Sequence, residues 1–223
     1  MKINIAIDGP SAAGKSTIAK LLAKKLGYVH LDTGAMYRCT SLKAVREGLD
    51  LDDESSIVKM LEDTEIRLTP EGKVYLDGED VSSAIRTDEN SLAASRVSKN
   101  PLVRAELVKR QQKMAEEKGF IMDGRDICTV VLPDAEVKVF MTASAYARAK
   151  RRYDQNIAAG IPTSDIETIA KEIEKRDYED SHRAASPLVQ AEDAVLVDSS
   201  DLSIEETADA IYRLAEPYLQ KEE

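Results

Sequence analysis

A glycine-rich stretch near the start of the chain restricts the possible fold more than any other feature. Residues Gly9-Pro10-Ser11-Ala12-Ala13-Gly14-Lys15-Ser16 match the phosphate-loop pattern G-x-x-x-x-G-K-[ST]. The apolar run 3–7 before it is typical of a buried strand, and residues 16–26 after it carry apolar side chains at helical spacing. This order of strand, loop and helix predicts an anion-binding turn at a helix N-terminus.

The chemistry of such a loop follows from its backbone. Glycines let the chain curl tightly, so that several N–H groups converge on the phosphates of a nucleoside triphosphate. Lys15 is expected to reach the β- and γ-phosphates, and the Ser16 hydroxyl to bind Mg²⁺. The residues predicted to contact the nucleotide are Gly9, Pro10, Ser11, Ala12, Ala13, Gly14, Lys15, Ser16 and Thr17. The alternative, a glycine turn without a ligand, would not need this strand and helix around it.

The rest of the chain alternates between strand-like and helix-like segments. Further strands are predicted at 28–31, 120–122, 137–141 and 194–197. Helices are predicted at 35–47, 101–118, 145–158, 166–178 and 203–219, the last beginning with a Ser203 and Glu206 capping box. Such alternation predicts an α/β fold, in which helices cover both faces of a five-stranded parallel sheet.

Two stretches interrupt this alternation. Residues 65–69 and 73–77 alternate in polarity around Pro70-Glu71-Gly72, which predicts a β-hairpin within an antiparallel insert at 51–91. Residues 160–164 separate two charged helices and could hinge a small lid at 148–165. The remaining segments, 1–50, 92–147 and 166–223, are then predicted to form one discontinuous core.

The composition excludes several classes of protein. The chain has 223 residues, with 31 Lys and Arg against 41 Asp and Glu, a net charge of −10. An acidic chain is a poor general binder of nucleic acids or anionic membranes. The two cysteines and two histidines give neither a disulfide framework nor zinc-ligand spacing. No segment has the pattern of a membrane span or secretory leader, so a cytoplasmic location is expected.

Polar motifs follow two of the predicted strands, at the edge where an α/β sheet binds ligands. Asp32-Thr33-Gly34-Ala35-Met36-Tyr37-Arg38 opens a helix, and Arg38 could bind a second phosphate; the alternative is a helix cap with a surface arginine. Asp123-Gly124-Arg125-Asp126 follows another strand, with Asp123 where phosphate-loop enzymes hold Mg²⁺. A simple Asp-Gly turn is the alternative there.

Arginines cluster in the second half of the chain. The members of this cluster are Arg148, Arg151, Arg152, Arg176 and Arg183. Guanidinium groups bind phosphoryl oxygens bidentately, which suits the charge that develops during phosphoryl transfer. The alternative is a solvated helix face with ion pairs between neighbouring turns.

Together these motifs resemble those of the bacterial cytidylate kinases, a branch of the nucleoside monophosphate kinase family. The resemblance rests on the phosphate loop, the motifs at Asp32–Arg38 and Asp123–Asp126, and Ile85-Arg86-Thr87, Ala94-Ser95, Val103-Arg104, Lys175-Arg176-Asp177 and Asp180-Ser181-His182-Arg183. These motifs span nearly the whole chain. The resemblance implies a phosphate-loop core, a monophosphate-binding insert and an arginine-bearing lid, with MgATP as donor and CMP or dCMP as acceptor.

The resemblance also implies roles for individual residues. Asp126 and Ser95 would face the cytosine amine, and Arg104 the N3 and O2 edge. Near the ribose it places Tyr37, Arg176 and Asp180, and at the monophosphate Arg38, Arg125 and Arg183. Arg148 and Arg152 would close over the triphosphate, and Thr33 keeps the hydroxyl of the serine also found at its position. The catalytic set is then Lys15, Arg125, Arg148, Arg152 and Arg183, and the metal ligands are Ser16 and Asp123.

The sequence is also compatible with other functions. A kinase for shikimate or another nucleotide would share the fold, although a base-reading Asp126 and Arg104 argue against shikimate. A regulatory GTPase would need an N-K-x-D motif, which the sequence lacks. A nucleic-acid-binding protein is disfavoured by the charge and by the scarcity of aromatic residues. We expect a monomer; the sequence leaves open the choice between CMP and dCMP and the tolerance of UMP.

Overall fold

The structure, a computed structural model, describes residues 2–69, 71–158 and 160–219. Pro70 of the predicted hairpin turn lies outside the described residues, as do position 159 of the predicted lid and the ends of the predicted core, 1 and 220–223. No helix in these described ranges is both long and apolar enough to cross a membrane.

Strands and helices alternate along most of the described chain. The strands are β1 (Ile5–Asp8), β2 (Val29–Asp32), β3 (Ile66–Leu68), β4 (Val74–Leu76), β5 (Glu79–Asp80), β6 (Phe120–Gly124), β7 (Val137–Thr142) and β8 (Val195–Asp198). The helices are α1 (Lys15–Leu26), α2 (Thr33–Arg46), α3 (Glu54–Glu62), α4 (Asp88–Val97), α5 (Pro101–Ala115), α6 (Ala145–Ala158), α7 (Ile166–His182) and α8 (Ile204–Leu219). A 3₁₀ turn (Ala84–Arg86) precedes α4, and a π-helical turn (Ile127–Val131) follows β6.

The predicted fold class is confirmed. Among the described residues, the order of the five-stranded sheet is β2-β6-β1-β7-β8, and β3, β4 and β5 form a separate three-stranded sheet. β1 pairs in parallel with β6 and β7, and β7 with β8. Asp8 lies opposite Gly124, and Thr142 opposite Asp198. The loops after these strands therefore begin at one edge, where ligands bind in open α/β sheets.

Contacts divide the chain into two compact units. One comprises Met1–Tyr28 and Lys118–Glu223, and the other Val29–Glu117. The first unit has a core in which β1 and β7 pack against α1 and α8 through side chains such as Ile5, Val139, Leu22 and Ile211. Burying each such side chain contributes about 1.5–3 kcal/mol. The core therefore holds rigidly the strand from which the phosphate loop leaves. The division into five segments made from the sequence stays a prediction.

Capping side chains account for where several helices begin. α2 starts at Thr33, earlier than predicted, because the Asp32 carboxylate accepts the Ala35 N–H at 3.1 Å. The predicted capping box of α8 is present: Glu206 accepts from the Ser203 N–H at 2.9 Å, and the Ser203 hydroxyl accepts from the Glu206 N–H at 3.1 Å. α7 continues past the predicted end to His182.

The predicted hairpin is present in the second unit, as β3 and β4 with Arg67 opposite Tyr75. The region predicted as an antiparallel insert also contains α3, which we did not identify from the sequence. Asp53 caps α3 by accepting the Ser56 N–H, and Ile57, Met60 and Leu61 form its buried face. The apolar residues of this helix are few, and polar residues flank them on both sides, so the sequence pattern does not indicate a helix here.

Candidate active site

The phosphate loop leaves β1 at Gly9, where the backbone leaves no room for a side chain. Gly9 has φ +150°, and a Cβ there would stand 1.9 Å from the carbonyl oxygen of Met141 on β7. Gly14 has φ +92° and precedes α1 in the left-handed region. The two glycines of the motif are therefore required for different reasons, the first by close approach and the second by backbone conformation.

Lys15 lies across its own loop. Its Nζ donates to the carbonyl oxygens of Gly9 at 2.7 Å and Pro10 at 2.8 Å, and the residue is 5% exposed. Burial lowers the pKa of Lys15 to about 7, the charge of Arg125 acts in the same direction, and that of Asp123 opposes it. An anion beside the loop favours the ammonium form. Lys15 is thus a buried cation suited to bind phosphate oxygens.

The side-chain oxygens of Ser16 and Asp123 lie together at the start of α1. The Ser16 Oγ donates to the Asp123 Oδ2 at 2.7 Å, and Asp123 is buried at the end of β6. Mg²⁺ prefers oxygen ligands and commonly takes only one or two from the protein, with phosphates and water completing its shell. No group of three or more His, Cys, Asp or Glu side chains within the described ranges could hold a metal ion. The pair therefore fits a Mg²⁺ ion that arrives with a nucleotide.

Asp8, at the end of β1, is a buried carboxylate that none of the predictions from the sequence includes. It is 0% exposed, and its carboxylate accepts the N–H groups of Ile127 at 2.8 Å and Cys128 at 2.7 Å. Burial raises the pKa of Asp8, and the two backbone hydrogen bonds oppose that rise. These bonds connect the last residue of β1 to the π-helical turn after Asp126. A carboxylate at a strand end just before the motif is the signal that could have revealed it.

The motif after β6 forms an ion-pair network with the end of α7. Arg125 Nε donates to Asp180 Oδ2 at 2.8 Å, and Arg183 Nη1 lies 3.9 Å from Asp180 Oδ1. Burial alone would raise the pKa of Asp180, but the charges of Arg125, Arg176 and Arg183 outweigh it and hold that pKa below the usual range. Asp126, 5% exposed, precedes the π-helical turn. The structure therefore brings together four of the predicted substrate residues in the first unit, namely Arg125, Arg176, Asp180 and Arg183.

The arginines of α6 differ in their surroundings. Arg148 is 6% exposed and donates to the carbonyl oxygens of Ser11 at 2.8 Å and Ala143 at 2.9 Å. Arg152 is exposed and makes no hydrogen bond or ion pair within the described part of the chain. Of this predicted pair, only Arg148 is held by contacts with other described residues. The prediction that both side chains close over the triphosphate stays a prediction.

The second unit contains the motif at Asp32–Arg38. Thr33 and Tyr37 are buried on the first turns of α2, and Arg38 is half-buried one turn from the helix start. Asn90 on α4 donates through Nδ2 to the Arg38 carbonyl at 3.1 Å and accepts from the Ser41 hydroxyl at 2.9 Å. Asn90, a buried amide that we did not identify from the sequence, therefore fixes this part of α2 relative to α4.

Arg104 and Tyr37 lie together in this unit. The guanidinium carbon of Arg104 lies 5.2 Å from the centre of the Tyr37 ring, and Arg104 Nη1 donates to the Ser98 carbonyl at 3.1 Å. Arg104 is 4% exposed, whereas Ser95 on α4 is half-buried. The structure thus gathers two of the residues predicted to recognise the nucleoside and orients the guanidinium by the ring and a carbonyl.

Comparisons with known proteins show to which family the chain belongs. The family model for cytidylate kinase matches residues 5–217. The cytidylate kinase of Ligilactobacillus salivarius (strain UCC118) is 51% identical over 218 residues, which cover 96% of this chain and 97% of that protein. That of Bacillus subtilis (strain 168) is also 51% identical over 218 residues, with the same coverage of 96% and 97%.

A solved structure, the shikimate kinase of Bacteroides thetaiotaomicron, has a TM-score of 0.51 at 13% identity, covering 98% of this chain and 99% of that one. At this identity the similarity shows the fold alone. The sequence relatives are far closer, because the family model and the 51% identity both extend over almost the full length. The chain therefore belongs to the cytidylate kinase family.

Proposed function

We propose that this protein transfers the γ-phosphoryl group of MgATP to CMP or dCMP and forms ADP with CDP or dCDP. The observation that carries the proposal is the 51% identity to curated cytidylate kinases over 96% of the chain. The structure supports it with a complete phosphate loop and a buried lysine in one unit, and a Tyr37–Arg104 pair suited to a nucleoside in the other.

The donor is held by the phosphate loop. The loop at residues 9–17 holds ATP, and the backbone N–H groups that follow Ser11 bind its phosphates. Lys15 exchanges its two carbonyl partners for β- and γ-phosphate oxygens. Ser16 and Asp123 would hold Mg²⁺, which neutralises charge on the transferring group when bound. Arg152 supplies a further cation to the triphosphate from α6.

The acceptor nucleotide is recognised at both of its ends. Arginines bind its monophosphate, and other polar side chains bind its base. Arg38, Arg125 and Arg183 hold the monophosphate, and Tyr37, Arg176 and Asp180 hold the ribose. Asp126 and Ser95 accept from the cytosine N4 amine, and Arg104 donates to the opposite edge. Uracil carries an oxygen at the position of that amine, so a carboxylate facing it disfavours UMP.

No general base is needed, because the acceptor phosphate is already anionic at neutral pH. The residues act by aligning the two phosphates, by compensating charge on the transferring oxygens and by excluding water. Arg125 is central to this because Asp180 fixes its guanidinium through the Nε at 2.8 Å. Its Nη1 also makes one long hydrogen bond, to the Gly124 carbonyl at 3.4 Å, and the remaining N–H groups of the fork suit phosphate oxygens. We further propose that the enzyme acts as a monomer in the cytoplasm, which light scattering after gel filtration and cell fractionation would test.

An acceptor screen tests the function directly. ADP release is measured with ATP, Mg²⁺ and either CMP, dCMP, UMP or shikimate, and kcat/KM is compared between acceptors. We expect CMP or dCMP to exceed UMP by at least tenfold and shikimate to be inactive. Lys15→Ala should abolish the signal, whereas Lys20→Ala, an exposed lysine on the same helix, should not change it. A preference for UMP or shikimate would refute the proposal.

A further inference from the structure

The outer side of the phosphate loop is bound by two helices that lie next to each other. From α6, Arg148 Nη1 donates to the Ser11 carbonyl at 2.8 Å, and Arg151 Nη1 lies 3.4 Å from the Ala13 carbonyl oxygen. From α7, Asp177 Oδ1 accepts the Ser11 N–H at 3.0 Å. Side chains of opposite charge thus bind the backbone N–H and the backbone carbonyl of a single loop residue.

The two helices are also joined at this point. Asp177 Oδ2 accepts from Arg148 Nη1 at 2.5 Å, and Arg148 is fixed further by the Ala143 carbonyl at 2.9 Å. Arg151 bonds the Oγ and carbonyl of Ser199, beyond the end of β8. The Arg148 side chain is 7% exposed and that of Asp177 18%, so water competes little for either charge. Charge-assisted hydrogen bonds of this kind are stronger than neutral ones.

Apolar packing reinforces the polar contacts. Ala12, between the bonded residues, packs against a cluster of Ala149 on α6 with Ile169 and Ile173 on α7. Ala12 has φ +58°, a left-handed conformation that residues other than glycine adopt rarely. Such a conformation persists only where surrounding contacts impose it. The contacts with α6 and α7 therefore help to hold residues 11–13 in this conformation.

We propose that Asp177, Arg148 and Arg151, here called the loop clamp, are positioning residues that set the affinity of the phosphate loop for its nucleotide. The Ser11 N–H donates to Asp177, so the backbone N–H groups after Ser11 are the ones that bind phosphate. The Arg148 cation on the Ser11 carbonyl polarises the peptide that carries the Ala12 N–H, which makes that N–H a stronger donor. Asp177 holds Arg148 in place for this task.

The loop clamp gives helix α7 a function in donor binding. Asp177 follows Arg176, which the proposed function assigns to the acceptor ribose, so adjacent residues would serve the two substrates. The inference rests on the proposed function only in taking an adenine nucleotide as the donor. It predicts that changes at Asp177 alter binding of the donor and leave binding of the acceptor nearly unchanged.

The test compares Asp177→Ala, Asp177→Asn and Asp154→Ala. Asparagine at position 177 keeps an acceptor for the Ser11 N–H but loses the charge that holds Arg148. Asp154 is a matched control, because it forms an ion pair with Lys150 on the exposed side of α6. The Kd of ADP is measured by calorimetry, and KM is measured separately for ATP and CMP. Circular dichroism and thermal unfolding establish that each variant is folded at the assay temperature.

We expect Asp177→Ala to raise the Kd of ADP and the KM of ATP at least tenfold, about 1.4 kcal/mol, with the KM of CMP changed less than twofold. Asp177→Asn, which preserves shape if alanine prevents folding, should show an intermediate rise, and Asp154→Ala none. The double variant Arg148→Ala with Asp177→Ala should bind ADP about as weakly as either single variant, because the residues act as one unit.

Two results would overturn the loop clamp. One is a Kd of ADP within twofold of wild type in a folded Asp177→Asn protein. The other is a parallel rise in the KM of ATP and CMP, which would indicate a general loss of packing. Failure of the wild type to phosphorylate CMP would instead refute the proposed function, and the calorimetric arm would still decide on the clamp.

Discussion

Replacing Asp8 with alanine should destabilise the fold strongly, and the structure allows the size of the effect to be worked out. The carboxylate is 0% exposed and is the acceptor for two backbone N–H groups, those of Ile127 and Cys128. Each buried N–H left without an acceptor costs about 1–3 kcal/mol. Asp8→Ala should therefore lower the free energy of unfolding by about 2–6 kcal/mol, toward the lower end because a buried carboxyl is removed as well.

Asp8→Asn should have roughly half that effect. Its amide oxygen can accept one of the two N–H groups, while its NH₂ group faces the other and cannot accept. The loss is then about 1–3 kcal/mol, the cost of a single unsatisfied donor. Asparagine has nearly the size of aspartate and leaves no cavity. Comparing the two variants therefore separates the cost of a lost hydrogen-bond acceptor from the cost of a smaller side chain.

Urea unfolding gives the free energies, and amide hydrogen exchange locates the effect. We expect Ile127 and Cys128 to exchange at least tenfold faster in Asp8→Ala, about 1.4 kcal/mol of lost protection. Asp198 is a matched control, a carboxylate at the exposed end of β8 that accepts the Ser200 N–H at 2.9 Å. Asp198→Ala should cost under about 1 kcal/mol. An Asp8→Ala protein as stable as Asp198→Ala, with unchanged exchange, would refute the reasoning.

Three further predictions concern catalysis. Lys15→Ala should lower kcat more than tenfold, about 1.4 kcal/mol, in a folded protein, and activity above one-tenth of wild type would count against a catalytic loop. Asp126→Asn should lower the CMP-to-UMP ratio of kcat/KM by about one decade, mostly by loss of CMP activity, and an unchanged ratio would mean that the base is read elsewhere. Arg152→Lys keeps the charge but loses the planar fork, so kcat should fall clearly; wild-type kcat would leave Arg152 as a solvated residue on α6.

The fold could be predicted because its signals are local. The strand before the phosphate loop and the helix after it follow from apolar spacing, and β1 and α1 lie within two residues of the predicted bounds. The π-helical turn at Ile127–Val131 could not be predicted, since its first N–H groups are satisfied by Asp8, a residue more than a hundred positions away. Only the folded sheet brings those groups together.

The same distinction applies to the site. A motif fixes the places of Lys15 and Ser16, because their spacing from the glycines is part of the pattern. Asp177 belongs to a motif that carries the family resemblance but received no role from it, and its helix of alternating charges is typical of a solvated surface. Its contact with the Ser11 N–H depends on how α7 packs against the phosphate loop, and the sequence pattern does not indicate that packing.

The closeness of Gly9 to β7 has a genetic consequence. A side chain at position 9 would collide with the main-chain oxygen of Met141, 1.9 Å from the place of its Cβ, and every amino acid carries that oxygen. No substitution at position 141 can therefore act as a second-site suppressor of Gly9→Ala. At Gly14 the nearest atom is instead the flexible Cε of the Met141 side chain, at 3.6 Å. A selection for revertants of Gly9→Ala should accordingly return glycine at that codon, with no compensating change at residue 141.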